Sequence, residues 1–246
     1  MKVQIYKDYA SLSFFAAEEI ICLIKEKPAA VICLASGDSP KLTCELFTKK
    51  AREENLNTLK FFFIGLDEWV GLGPETAGSC HNDFKKRIFE PLDISPIQYH
   101  LFNGLSDSLE NECTEMDKIV GEKGGIDLMI VGIGMNGHIG FNEPGTAFNN
   151  LSHVIDLDEV TKSVGQKYFN EPVKLSKGIT IGFGHLLNAK KVFLMASGLK
   201  KAEVIKKTVE GSVTENFPAS IMQKHLNGFI LIDEDAGSLL EKSKTN

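Results

Sequence analysis

The chain has 246 residues, 43% hydrophobic and 24% charged, with a formal net charge of −6. This is the composition of an ordinary globular protein long enough to bury a substantial core. It excludes a basic nucleic-acid-binding surface, and no apolar run approaches the ~18–20 residues of a membrane span.

Taken in chain order, helical patterns alternate with apolar runs. The patterning predicts a helix over about 9–26 and then the run AVICLAS (30–36). A helix over about 39–54 leads to KFFFIGL (60–66), and one over about 107–122 leads to DLMIVGI (127–133). A short segment at 185–189 precedes KVFLMAS (191–197). Helices at about 199–209 and 218–225 are followed by GFILID (228–233). Runs that are apolar almost throughout suit strands covered on both faces. Their alternation with helices predicts an α/β fold, a mostly parallel, doubly wound sheet in a three-layer α/β/α arrangement resembling a Rossmann fold. No repeat, low-complexity stretch or linker divides the chain, so a single domain over 1–246 is expected. The five cysteines form no CxxC pair and read as reduced thiols of a cytoplasmic protein. The six histidines lack ligand-like spacing, so no metal site is expected.

In such folds ligands sit beyond the carboxyl ends of the strands, near the point where strand order reverses. Three strand ends here carry reactive residue types: Ser36-Gly37-Asp38-Ser39, Asp67-Glu68-Trp69 and GIGMNGHIGFNEPG (132–145). Gly132, Gly134 and Gly137 match GxGxxG, with Asp156 22 residues beyond Gly134, a formal dinucleotide fingerprint. That fingerprint needs a helix opening at its third glycine. Gly140, Pro144, Gly145 and Asn149-Asn150 oppose one, so the segment reads as a structured loop. Its glycines, Gly137 among them, permit close backbone approach to a ligand. Within it, Glu143 can fix the tautomer of His138, a pairing suited to proton transfer near neutral pH. The competing reading is a solvated surface pair.

Adjacent strand residues face opposite ways, so only one of Asp67 and Glu68 is expected in the crevice. Trp69 reads first as a packing residue. Ser39 is expected to cap a helix with Pro40 at its first position. Such a helix start also suits a phosphate, although the Asp38 carboxylate would repel one unless it points away. Lys201 reads as a solvated lysine, or as a cation for that phosphate.

These residues resemble the glucosamine-6-phosphate deaminase/isomerase family. The likeness runs through the GDSP turn, LDEWVGL (66–72), HIGFNEPG, KGITIGFGHLLNAKKVFLMASG (177–198) and PAS (218–220), and is closest to the galactosamine-6-phosphate isomerase branch. The 6-phosphogluconolactonases share the fold and resemble the chain less. The resemblance implies an isomerase/deaminase acting on an amino-sugar 6-phosphate without metal or organic cofactor, as a monomer or homo-oligomer. Asp67 then matches the base moving the C2 proton to C1. His138 matches the ring-opening acid/base, Glu143 its partner, and Asn136 a position that offers a hydrogen bond without charge. Ser36, Gly37, Asp38, Ser39 and Lys201 match the phosphate site. Lys167 is the nearest counterpart of the family's phosphate arginine. Galacto or gluco configuration at C4 is not legible in the sequence.

Overall fold

The computed structural model describes residues 1–241; the last five residues of the expected 1–246 domain lie outside them. The chain opens with β1 (Lys2–Tyr6) and α1 (Tyr9–Glu26). The Asp8 carboxylate accepts from the Ser11 amide at 2.8 Å and caps α1, which buries a stripe of Leu12, Ala16, Ile20 and Ile24. Then come β2 (Val31–Leu34), α2 (Asp38–Glu53), β3 (Phe62–Gly65) and β4 (Asp67–Trp69). Helix α3 (Cys80–Phe84) runs into a π-helical turn, Lys85–Phe89, and is followed by β5 (Tyr99–His100), α4 (Leu109–Glu122) and β6 (Leu128–Val131). After the long loop come β7 (His153–Asp156), α5 (Glu159–Gly165), β8 (Lys177–Thr180) and α6 (Phe183–Asn188). The chain ends with β9 (Val192–Ala196), α7 (Ala202–Glu210) and β10 (Gly228–Asp233).

Seven strands form one parallel sheet in the order β1-β10-β9-β6-β2-β3-β5. Its side chains alternate between two cores. Val31, Cys33, Met129, Val131, Val192 and Leu194 face a core shared with Met116, Leu186 and Ile205 of α4, α6 and α7. Ile32, Leu34, Leu128, Ile130, Phe193 and Met195 face the other, with Ile20, Phe47 and Phe84 of α1, α2 and α3. Burial on both faces explains the continuous apolar runs and the three-layer α/β/α architecture. Chain order reverses between β2 and β6, so the segments after these two strands open into one crevice.

Not anticipated from the sequence is a second, three-stranded antiparallel sheet, β4-β8-β7. Asp67 pairs with Thr180 and Trp69 with Gly178, while β7 covers the other edge of β8. These strands have only three or four residues, too few for a periodicity to show. The expected α-helix at 218–225 is instead a 3-10 helix over Pro218–Lys224. The expected cap of α2 is also corrected. Gly37 is the cap residue, Ser39 lies inside the first turn, and no side chain caps the helix. The Ser39 hydroxyl instead faces Gly132, where an added Cβ would meet it at 3.2 Å. Among the described residues no helix is long and apolar enough to cross a membrane.

Candidate active site

A cleft of about 540 Å³ lies at the reversal point, a size suited to a small-molecule ligand. Its wall includes Ser36, Gly37, Asp38 and Ser39 after β2, Asp67 at the start of β4, His138 after β6, and Lys167 and Lys201. Five separated stretches of chain therefore bring most of the expected site residues to one place.

Asp67 and Glu68 divide as the strand geometry requires. Asp67 is half-buried on the cleft wall, with the Cys80 thiol donating to its carboxylate at 3.6 Å. Glu68 is 2% exposed and turned away. Its carboxylate accepts the amides of Trp69, Cys80 and His81 at 2.8, 3.0 and 2.8 Å, the last two being donors that the start of α3 leaves free. Burial, then the neighbouring Glu68 charge, pushes Asp67 up to about 7. Burial also pushes Glu68 up to about 7, against its three amide bonds. A carboxylate in this range accepts and returns a proton at neutral pH. Trp69 is a packing residue, its ring 4.6 Å from that of Phe141.

The loop after β6 contains no helix, which removes the structural basis of a dinucleotide fingerprint. It is held as a tight set of turns. The Gly134 amide donates to the His138 carbonyl and the Gly137 amide to that of Gly134. An added Cβ at Gly134 would lie 2.3 Å from the His138 ring, so the imidazole rests directly on the glycine backbone. Gly137 has φ +87°, a conformation that excludes most side chains.

Behind the imidazole, Glu143 is 3% exposed. Its Oε2 accepts from the Asn136 side chain at 2.9 Å and lies 3.5 Å from His138 Nδ1. The Asp158 amide donates to its Oε1 at 3.3 Å. Burial alone would raise Glu143, but hydrogen bonding from His138, Thr161 and Asn136, with the imidazole charge, holds it below its ordinary value. Asn136 Oδ1 also accepts the His138 amide at 3.2 Å. Asn136 and Glu143 thus stand behind His138 rather than on the cleft wall. Gly137 is likewise not on the wall, which corrects its expected contact with substrate. An added Cβ there would lie 2.6 Å from the Phe217 ring, and the Gly137 carbonyl accepts the Ala219 amide. The PAS segment therefore serves as a brace for the loop.

At the start of α2, the Asp38 carboxylate pairs with Lys167 at 2.5 Å. Lys167 is thereby brought to the α2 turn and engaged by that carboxylate. Lys201 Nζ donates to the Ile133 carbonyl at 2.6 Å. Burial, then the charge of Lys167, holds Lys201 below the usual lysine range, and an anion beside it would act in the opposite direction.

Three contributors were not anticipated. Cys80 is on a helix with too few residues to signal itself. Tyr168 reaches Gly37, where an added Cβ would meet its hydroxyl at 3.3 Å. Thr161 places its hydroxyl 3.1 Å from His138 Nδ1. Asp158 before EVTKSV is a legible helix cap, but nothing in that segment marks a hydroxyl turned toward a loop 23 residues away.

Parallel-sheet carboxyl ends, a base of raised affinity for protons and an imidazole–carboxylate pair define an α/β acid–base enzyme. Comparison with known proteins narrows this. A family profile described as glucosamine-6-phosphate isomerases/6-phosphogluconolactonase matches residues 9–230. Glucosamine-6-phosphate deaminase 1 of Bacillus subtilis is 38% identical over 240 residues, 97% of this chain and 99% of that protein. The glucosamine-6-phosphate deaminase of Bacillus pumilus is 39% identical over 240 residues, 97% and 100% of the two chains. A solved monomeric glucosamine-6-phosphate deaminase aligns with TM-score 0.94 at 38% identity, covering 98% of this chain and 100% of that one. The 6-phosphogluconolactonase of Thermotoga maritima aligns with TM-score 0.74 at 19% identity, over 94% and 99% of the chains, a likeness of fold. The chain belongs to the glucosamine-6-phosphate isomerase/6-phosphogluconolactonase family, and within it to the isomerase/deaminase enzymes.

Proposed function

We propose that the enzyme converts a hexosamine 6-phosphate and water to a ketohexose 6-phosphate and ammonia. Glucosamine 6-phosphate is the leading substrate, and its C4 epimer galactosamine 6-phosphate is the alternative. The observation that carries the reading is the convergence of Asp67 and the His138–Glu143 pair on one cleft that has lysines at its far end. The relatives act, by their names, on glucosamine 6-phosphate, which puts the gluco epimer ahead of the galacto preference suggested by sequence motifs.

In this reading His138 takes the proton of the C1 hydroxyl and returns one to the ring oxygen, opening the pyranose. Asp67 takes the C2 proton and delivers it to C1 through an enolamine. Water then adds at C2, and ammonia leaves. Each positioned acid–base group contributes ~10²–10⁴-fold. The phosphate sits between the α2 turn and Lys201, with Lys167 leaving Asp38 to join it. A lysine offers a point charge where an arginine would offer a fork, so Lys167 contributes attraction more than orientation. The cleft is built from one chain, which supports a monomer as the active unit.

The test is ammonia release from the two amino-sugar phosphates side by side, with 6-phosphogluconolactone hydrolysis as a third arm. Ammonia from the gluco substrate at the higher kcat/KM is expected. Lactone hydrolysis without ammonia release would overturn the proposal.

A further inference from the structure

Helical threonines in this protein bond either across to a neighbouring element, as Thr48 of α2 does to the Arg87 carbonyl at 2.8 Å and Thr43 to the Met195 sulfur at 3.8 Å, or back along their own helix. Thr114 Oγ1 donates to the Glu110 carbonyl at 2.9 Å and Thr208 Oγ1 to that of Val204 at 2.7 Å, the usual resolution for a hydroxyl at helix spacing. Thr161, in the first turn of α5, is of the first kind, and its partner is the His138 imidazole. It is 4% exposed, whereas Val160 and Val164 on the same helix are 42% and 43% exposed. Its hydroxyl leaves the helix and reaches His138 Nδ1 at 3.1 Å, and it also helps hold the Glu143 carboxylate below its ordinary value.

The direct His138 Nδ1–Glu143 Oε2 separation is 3.5 Å, long for a hydrogen bond. A hydroxyl has one proton to donate and lone pairs to accept. An ionised Glu143 only accepts, so the Thr161 proton goes to the carboxylate and its oxygen accepts from Nδ1–H. That order of donors leaves Nε2 of His138 unprotonated and able to act as a base. We propose that Thr161 is a positioning residue that couples Glu143 to His138 and fixes the imidazole tautomer needed for ring opening. Because α5 lies outside the 132–145 loop, the hydroxyl also ties the acid–base pair to the placement of that helix. The kinetic part of this inference rests on the function proposed above.

The experiment compares Thr161→Val, which keeps the shape and removes the hydroxyl, with Thr161→Ser, which keeps the hydroxyl. Outer partners of a functional histidine are worth about 10–100-fold. For Thr161→Val we expect kcat to fall by that factor at nearly constant KM, with Thr161→Ser recovering most of it. Nitrogen NMR of the His138 ring gives a readout independent of turnover. The wild type and Thr161→Ser should show the Nδ1–H tautomer, and Thr161→Val a mixture. Retention of both the wild-type kcat and the wild-type tautomer by Thr161→Val would overturn the proposal. So would a Thr161→Ser variant as impaired as Thr161→Val, since packing of the methyl group would then be the cause. If the wild type released no ammonia from either amino-sugar phosphate, the functional reading would fail while the tautomer comparison still decided the role of Thr161.

Discussion

The two ends of the cleft are built differently. At the acid–base end His138 rests on Gly134, and the nearly fully buried Glu143 receives Asn136, Thr161 and the Asp158 amide. At the proposed phosphate end the Asp38 and Lys167 side chains are 64% and 47% exposed and are joined by one ion pair. A pair so exposed is worth at most about 1 kcal/mol. The contrast fits the work proposed for each end. Proton transfer needs groups held in position before the substrate arrives. A phosphate can recruit a long, charged side chain after it arrives.

If this division is right, the largest effect comes from Asp67→Asn. Turnover should drop by ~10²–10⁴-fold with binding retained, checked by ammonia release alongside calorimetric binding of a substrate analogue. The same variant tests the burial of the carboxyl. Asp67 is raised in the folded state to about 7, so the folded protein favours its protonated form. The stability tied to that proton is complete below about pH 4 and is lost as the pH rises to about 7. Asp67→Asn should therefore be more stable than the wild type at pH 8, by on the order of 4 kcal/mol, and the advantage should vanish near pH 4. An equal melting temperature at both pH values would contradict it.

Lys201→Ala should act at the other end. Loss of a charge-assisted contact costs about 1.5–3 kcal/mol, so KM should rise roughly 10–100-fold while kcat changes little. A fall in kcat at constant KM would move Lys201 into the acid–base machinery.

Glu68→Gln sharpens the comparison through pH. The acid limb of kcat/KM should lie near pH 7 in the wild type. Removing the Glu68 charge, the second cause of the Asp67 shift, should move that limb to lower pH. Because burial is the larger cause, it should stay above the ordinary carboxylate range. A limb moving to higher pH would refute the coupling.

The smallest effect is expected from Asp38→Ser. Freed from its ion pair, Lys167 needs no exchange of partners to meet a phosphate, so KM should fall several-fold with negligible change in melting temperature. A higher KM would mean that Asp38 positions Lys167 productively rather than competing for it.

The acid–base end was also the more legible in the amino-acid sequence. Helix breakers after Gly137 argued against a dinucleotide site, and His138 and Glu143 lie five residues apart in one loop, so local chain chemistry already brings them near each other. Continuous apolar runs revealed the strands of the parallel sheet because burial on both faces leaves a local signature. The alternation rule also separated Asp67 from Glu68. What the sequence by itself determined was therefore whatever depends on neighbours along the chain: strand, helix, loop and the inward carboxylate. Tertiary structure alone decided the rest. It paired β4 with β8, turned Ser39 from a cap toward Gly132, drew Gly137 back against Phe217, brought Lys167 to Asp38 and carried Thr161 to His138. Those partners lie tens to more than a hundred residues apart, and no periodicity or spacing encodes a contact that exists only after the layers have packed.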